Sequence, residues 1–319
     1  MDAMAVFLMG PTASGKTEVA VRLRSLLPVE IISIDAAQVY RGLDIGTAKP
    51  GPEALARAPH RLIDICDPAE RCSVARFRAD ALREMAEIVG MGRIPLLVGG
   101  TIFYFHAIEH GLSPLPQADP GVRERLSREA ERLGWAALHR RLEQEDPASA
   151  ARIDPADRQR IQRALEVIEL SGQSMSELKR RAPPEHFAYH PVKIAIAPHK
   201  REALHARIAT RFAGMLARGL MEEARWLYGR SDIAPDAPAL RIAGYRQAGA
   251  YLTGKITHNE MIQGANAATR QLAKRQLTWL RHYPGVQWFD SDQERLAERI
   301  AAFVQQSLHA QGIIGAVVK

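Results

Sequence analysis

The chain is short of cysteine, has no long apolar run and carries no excess of acid. Cys66 and Cys72 are the only cysteines in 319 residues. They are too few for a disulfide framework and are not spaced as a CxxC metal pair. His60 could join them on zinc, but a fourth ligand is lacking, so two buried or idle thiols are expected. No stretch approaches the ~20 apolar residues that span a bilayer. AVFLM is cut short by Gly10 and Pro11, and the terminal IIGAVV is too brief. Met1 to Met4 lack a basic n-region. These absences lead us to expect a cytoplasmic protein with reduced thiols and no membrane partner.

What is present is ordinary in bulk: 46% hydrophobic and 25% charged residues, with only 6% aromatic. Lys and Arg number 43 against 36 Asp and Glu, a formal charge of +7. A basic balance favours a polyanionic partner, although a merely basic soluble enzyme would look the same. The length suits about two domains, or one large domain with an insertion.

Along the first third, texture alternates. Ala5–Met9 reads as a buried strand, Thr17–Leu27 as a helix, Val29–Ile34 as a strand, FRADALREMAEIVGM as a helix and Ile94–Gly100 as a strand. That order predicts a parallel sheet with helices on both faces. After Gly111 a proline-punctuated joint, LSPLPQADPG, leads into charge-rich helical sequence. Asp119-Pro120 predicts an N-cap and first-turn proline for a helix through Arg132. A second helix is expected over Ala136–Glu145. A third follows Asp154-Pro155, with Ile161, Ala164, Leu165 and Ile168 forming one apolar stripe. RRAPPEHFAYHP is a second proline joint, after which VKIAIAP resumes the strand texture. The fold expected is α/β, a P-loop NTPase-like parallel sheet flanked by helices, with an all-helical insertion. Residues 1–114 and 192–319 make the core, and 115–191 the insertion. Helices are expected over His199–Gly219, Leu220–Tyr228, Arg241–Leu252 and His258–Tyr283.

Three clusters fall at strand ends. GPTASGKT comprises Gly10, Pro11, Thr12, Ala13, Ser14, Gly15, Lys16 and Thr17, and matches G-x-x-x-x-G-K-[ST] with a strand before and a helix after. Its backbone N–H groups can curl round a diphosphate or triphosphate, Lys16 can bridge the oxygens, and the Thr17 hydroxyl is placed to ligate Mg²⁺. Asp35, in SIDAAQVYRGLDIGTAKP, closes the second strand where open parallel sheets place ligands. It could accept a proton, or simply cap a turn. Gly99-Gly100-Thr101 closes the third strand, permitting close backbone approach and offering one hydroxyl. In TRQLAKRQLTWLRHY, four cations occur without an acid. Arg270, Lys274 and Arg281 share one helix face, and Leu272 and Trp279 are expected to pack inward. On residues alone, a small-molecule kinase and a non-catalytic RNA-binding module remain open beside a transferase.

GPTASGKT, DAAQVYRGLDIGTAKP, PHRLIDI, LLVGGTIFYF, RIAGYRQ and TRQLAKRQLTWLR together resemble the bacterial tRNA dimethylallyltransferase (tRNA isopentenyltransferase, or IPP transferase) family over nearly the whole chain. The resemblance implies that the loop holds the diphosphate of dimethylallyl diphosphate, not ATP. It also implies transfer of the five-carbon group to N6 of adenosine 37, just 3′ of the anticodon, in tRNAs reading codons that begin with U. Asp35 is then the general base, Thr101 lines the channel and Lys16 assists departure of diphosphate. Arg241 is a further candidate for the diphosphate. Contacts to the tRNA anticodon stem-loop are carried over to Asp35, Ala36, Ala37, Gln38, Thr101, Arg123, Gln159, Arg160, Ile161, Gln162 and Arg163. Arg241, Ile242, Ala243, Gly244, Tyr245, Arg246, Lys274, Arg275 and Arg281 complete that set. Gln38 suits a bidentate contact with an unstacked base edge. The family usually has Ser where this chain has Ala36, which removes one hydroxyl beside the base. Mg²⁺ is the implied cofactor, and a monomer is expected.

Overall fold

The computed structural model describes residues 3–181 and 186–310. The proline joint Arg180–Pro191 lies partly outside those residues, and the tail IIGAVV wholly so. The chain forms two compact units, Met1–Glu109 with Phe187–Lys319, and His110–His186. Each boundary of the inserted unit therefore lies five residues earlier than expected (110 against 115, 186 against 191).

The first unit is built on one six-stranded sheet. Its strands are β1 (Ala3–Met9), β2 (Val29–Ile34), β3 (His60–Arg61), β4 (Ile94–Gly99), β5 (Tyr189–Ala197) and β6 (Gln287–Asp290). They lie in the order β3-β2-β4-β1-β5-β6, every pair parallel. The strands are apolar on both faces because both are covered. Phe7 and Met9 point into a core with Ile32, Ile34, Phe77 and Phe105, while Val6 and Leu8 point into another with Leu23, Ile300 and Val304. The register sets the site: Met9 and Ile34 both pair with Gly99. The chain thus leaves β1, β2 and β4 at one level, and the three motif clusters share one sheet edge.

Helices α1 (Lys16–Leu26), α3 (Val74–Gly90) and α4 (Ile102–His110) follow β1, β3 and β4. Beyond β5 come α10 (Arg201–Ala217), α11 (Leu220–Gly229), α12 (Tyr245–Leu252), α13 (His258–Arg281) and α14 (Leu296–Ala310). The helix expected from Arg241 starts four residues late. Gly244, at φ 96°, separates a short 3₁₀ turn over Pro238–Arg241 from α12. The sequence reading did not reach α2 (Pro52–Arg57), β3, β6 or α14.

The second unit holds α5 (Pro120–Leu133), α6 (Trp135–Glu145), α7 (Pro147–Ala150), α8 (Arg158–Ser171) and α9 (Met175–Arg181). Asp119 caps α5 as its sequence requires, its carboxylate accepting from the Val122 N–H at 2.8 Å. Asp154-Pro155 instead makes a turn, and Asp157 caps α8. Val122, Leu126, Leu138, Leu142, Ile161, Ala164 and Leu165 form a separate core, so this unit buries its own apolar face.

Candidate active site

β1 delivers the chain into Gly10–Thr17, and α1 begins at Lys16. Gly15 is the N-cap at φ 87°, a left-handed turn that glycine adopts without strain and that bends the loop round its own N–H groups. The Lys16 ammonium curls back onto the Pro11 carbonyl at 2.7 Å. Burial pushes its pKa down to about 7, with Asp35 opposing that shift and Arg211 adding to it. Residues Ala13 to Val19 line a cavity of about 700 Å³ with Arg22, Arg207, Arg211, Ser291 and the first turn of α14. Arg211, on α10, is held below the usual guanidinium range by burial, with the Asp35 carboxylate working against it. Among the described residues Arg211 has no ion-pair partner within the protein. Two desolvated cations without an acid in contact make a site that gains by taking up an anion. Arg207 and Arg211 were missed in the sequence because an amphipathic helix ~200 residues from the loop gives no motif.

Arg241, carried over as a diphosphate ligand, does not line this cavity; it sits exposed at the end of the 3₁₀ turn. Asp35 is not among the lining residues either, although its charge bears on Lys16 and Arg211. The two carboxylate oxygens are held differently. Oδ1 accepts from the Ala37 and Gln38 N–H groups at 2.8 and 3.4 Å, capping the turn after β2. Oδ2 makes no hydrogen bond among the described residues. Thr101 Oγ1 accepts from the Ala36 N–H at 3.0 Å, tying the end of β4 to that turn and leaving its own proton to donate. Ala36 itself is exposed. Gln38 departs from expectation: its side chain accepts from Ser33 at 2.9 Å and donates to the Ala48 carbonyl at 3.3 Å. It braces the 44–48 loop and does not present a free amide to a base edge.

Crowding requires glycine at 99, and at 100 a larger residue would push on the Gln276 amide. A Cβ on Gly99 would lie 1.9 Å from the Ile34 carbonyl oxygen, and one on Gly100 would lie 2.4 Å from Gln276 Nε2. Gln276, on α13, accepts from the Thr12 N–H and donates to the Gly100 carbonyl, both at 2.8 Å. One amide side chain therefore locks the loop after β1 to the end of β4. A KRQ run gives no sign of this.

The other carried-over residues divide by exposure. Arg246, Arg270, Lys274, Arg275 and Arg281 are exposed, as a basic surface needs, and Ile242 and Ala243 are half-buried. Tyr245 is fully buried, with its hydroxyl on Glu223, whose carboxylate accepts from the N–H groups of Asp44, Ile45 and Gly46. Tyr245 is thus an internal brace, and Gly244 is buried with it. The apolar stripe of α13 runs through Met261, Ala265, Ala273 and Leu280. Trp279, expected inward, is one residue out of phase and 44% exposed.

In the second unit Gln159 and Arg160 are exposed, but Ile161 is buried in the core. Arg123 and Arg163 converge on Glu166, which is 0% exposed: Arg123 grips both its oxygens at 2.9 and 3.2 Å, and Arg163 meets one at 2.6 Å. The Asp119 N–H adds a fourth bond. Gln162 donates to the Arg123 carbonyl and to Ser127, both at 2.9 Å.

An anion cradle after β1 and a carboxylate after β2, the strands on either side of β4, put the two halves of a group-transfer site at one sheet edge. The chain belongs to the IPP transferase family: residues 38–283 match the family model of that description, and residues 3–64 match that of isopentenyl transferase. Among solved structures, a full-length tRNA isopentenylpyrophosphate transferase from Bacillus halodurans is 38% identical over 98% of both chains, with a TM-score of 0.72. A tRNA Δ(2)-isopentenylpyrophosphate transferase from Staphylococcus epidermidis is 28% identical over 97% of this chain and 99% of that one, at 0.69. A eukaryotic dimethylallyltransferase acting on tRNA shares the fold at 0.79 with 24% identity, over 97% of this chain and 80% of its own.

Proposed function

We propose that this tRNA prenyltransferase moves a dimethylallyl group from dimethylallyl diphosphate to N6 of adenosine 37, 3′ of the anticodon, in tRNAs reading codons that begin with U. The products are N6-isopentenyladenosine and diphosphate. The observation that carries this reading is the pair of cations without acid partners, Lys16 and Arg211, in electrostatic reach of Asp35 at one sheet edge.

In this reading the N6–C1 bond forms as the C1–O bond breaks, and the electron pair leaves with diphosphate. The adenine N6 lone pair is delocalised into the ring, so its proton must be taken as the new bond forms. Asp35 Oδ2 takes it while Oδ1 keeps the turn capped. The Thr101 hydroxyl, fixed by Ala36, lines the approach of the base. Lys16, Arg211 and the loop N–H groups face the charge growing on the leaving oxygen, the larger share of the barrier lowering. The base must leave its stack to reach this edge.

Mg²⁺ fits the residues present. Thr17 lines the cavity, and its hydroxyl has no partner within the protein among the described residues. Those residues hold no cluster of three His, Cys, Asp or Glu to bind a metal by themselves, so the ion would be shared between Thr17 and phosphate oxygens. Bound there, it would spread charge on the leaving group.

Arg246, Lys274, Arg275 and Arg281 on the first unit, and Gln159 and Arg160 on the second, supply exposed groups for the RNA backbone. No described helix is long and apolar enough to cross a membrane. The cytoplasm, where tRNA is found, is the place that this reading implies, and a monomer suffices for it. The test is incubation with unmodified tRNA and radiolabelled dimethylallyl diphosphate, followed by nucleoside analysis, with ATP in parallel. Isopentenyladenosine is expected; ATP consumption with no alkylated base would overturn the reading.

A further inference from the structure

Residues 42–48 follow the turn that carries Asp35 and form neither helix nor strand. Their backbone N–H groups therefore need partners from elsewhere in the fold. α11 supplies one for three of them. The Glu223 carboxylate accepts from the N–H groups of Asp44 and Ile45 with Oε2, at 2.8 and 2.9 Å, and from that of Gly46 with Oε1 at 3.0 Å. Three successive N–H groups turned toward one point make a concave anion site, filled here by a side chain of the same protein. The Tyr245 hydroxyl donates to Oε1 as well. No cation pairs with Glu223 among the described residues, so hydrogen-bond donors hold its charge.

The same helix also presses on the tip of the loop. The Trp226 ring lies against Gly42, where a Cβ would come within 2.8 Å of it, and Gly42 itself sits at φ 73°. That contact, with the Arg230 guanidinium 5.5 Å from the ring centroid, accounts for a tryptophan left 46% exposed.

From the loop the connection runs back to Asp35. Gln38 Nε2 donates to the Ala48 carbonyl, its Oε1 accepts from the Ser33 hydroxyl, and its backbone N–H donates to Asp35 Oδ1 at 3.4 Å. A shift of residues 44–48 therefore shifts Gln38, and with it the turn that aims the carboxylate. The cradle at Gly10–Thr17 is held separately, by β1, α1 and Gln276, and Glu223 bonds to none of these.

We propose that Glu223 is a positioning residue for prenyl transfer: its carboxylate fills the anion nest at 44–46 and so fixes the turn that carries Asp35, while Trp226 steadies the loop from outside. The inference rests on the reading of Asp35 as general base given above and adds the element that aims it. Glu223 acts through the loop and not on the reacting atoms. A catalytic group displaced by about an ångström loses up to ~10²-fold in rate, which is the size of effect at stake.

The test uses the full chain with unmodified tRNA and radiolabelled dimethylallyl diphosphate, both saturating. Glu223→Ala should lower kcat by up to about 10²-fold, with the calorimetric Kd for inorganic diphosphate unchanged. Acetate matches the atoms removed, so it should restore part of that kcat, and chloride at equal ionic strength should not. A residue that merely stabilised the fold would show no such split. Glu223→Gln keeps the shape of the side chain, and so guards against a variant that fails to fold, but turns an amide N–H₂ onto N–H donors; its kcat should fall too. Tyr245→Phe, which leaves the carboxylate in its nest with one bond fewer, and Trp226→Ala should each cost less than Glu223→Ala. Wild-type kcat in Glu223→Gln, or a Glu223→Ala variant on which acetate and chloride act alike, overturns the proposal. So does a loss confined to tRNA affinity with kcat intact. A wild type that makes no alkylated base sinks the prenyl-transfer reading, while fully active Glu223 variants sink only this one.

Discussion

Arginine and lysine are handled in opposite ways at the strand ends of the first unit and in the core of the second. At the strand ends of the first, Lys16 and Arg211 are partly withdrawn from water with no acid in contact, and both are pushed toward losing their charge. In the second, Arg123 and Arg163 close on the buried Glu166, and Arg141 meets Glu129, Glu145 and Glu169. One arrangement leaves positive charge unsatisfied until a ligand comes; the other satisfies it within the fold. The difference teaches that a basic motif alone does not mark a binding site. What marks one is a cation denied its counter-ion.

The sharpest way to break that contrast is Asp35→Asn, which removes the one carboxylate whose charge bears on both desolvated cations. Asn keeps an oxygen for the Ala37 N–H and so preserves the turn. Turnover should fall by about 10²–10⁴-fold, the usual contribution of a positioned base, with stem-loop affinity intact. A variant with wild-type kcat would remove Asp35 from the chemistry.

On the other side, Glu166→Ala should unfold the second unit more easily without touching the first. It strands two guanidinium groups and the Asp119 N–H around a closed space, a loss on the order of 3–5 kcal/mol. The thermal transition should drop while the calorimetric Kd for inorganic diphosphate stays the same. Unaltered stability would mean that these arginines are not structural after all.

Lys16→Met probes the first unit through protons. Below pH 7 the folded and unfolded chains both hold the Lys16 proton; between about 7 and the ordinary 10.5 only the unfolded chain does. The unfolded state binds more protons in that window, so stability rises with pH there, and Lys16→Met should flatten the rise. Bound diphosphate should restore the charged form. At pH 8 its binding should therefore take up a fraction of a proton more in wild type than in Lys16→Met, read by calorimetry in buffers of different ionisation heat. At pH 6 the two should agree. Loss of a charged hydrogen bond of ~1.5–3 kcal/mol should also weaken diphosphate binding about 10- to 150-fold. Equal proton uptake at pH 8 would show that Lys16 is already charged.

The alternation of strand and helix was legible because each element is set by its own local period, and Gly10–Thr17 because strand, turn and helix are contiguous. The parallel sheet and the shared edge followed from those elements. Arg211 and Gln276 were illegible because only the fold brings α10 and α13 back to the loop. Trp279 was misplaced because Leu272 and Trp279 repeat every seven residues just as Ala273 and Leu280 do, and sequence alone does not choose between adjacent stripes. Tyr245 and Ile161 were carried over with their motifs, which mix residues that touch a substrate with residues that hold the others in place.

The smallest effect concerns the cations that belong to neither extreme. Arg160 is exposed, and among the described residues its only ion-pair partner is Asp157, the N-cap residue three positions back, at 2.7 Å. An exposed pair of that kind is worth little and exchanges readily for a phosphate, unlike the pairs of Arg123 and Arg163 with Glu166. Arg160→Ala should leave stability unchanged and reduce the slope of log Kd for tRNA against log salt by about 0.7–0.9, one phosphate contact. Lys274→Ala on α13 should do the same independently. If neither slope moves, the phosphate grip is not made by the exposed cations, and the paired arginines of the second unit must open to make it.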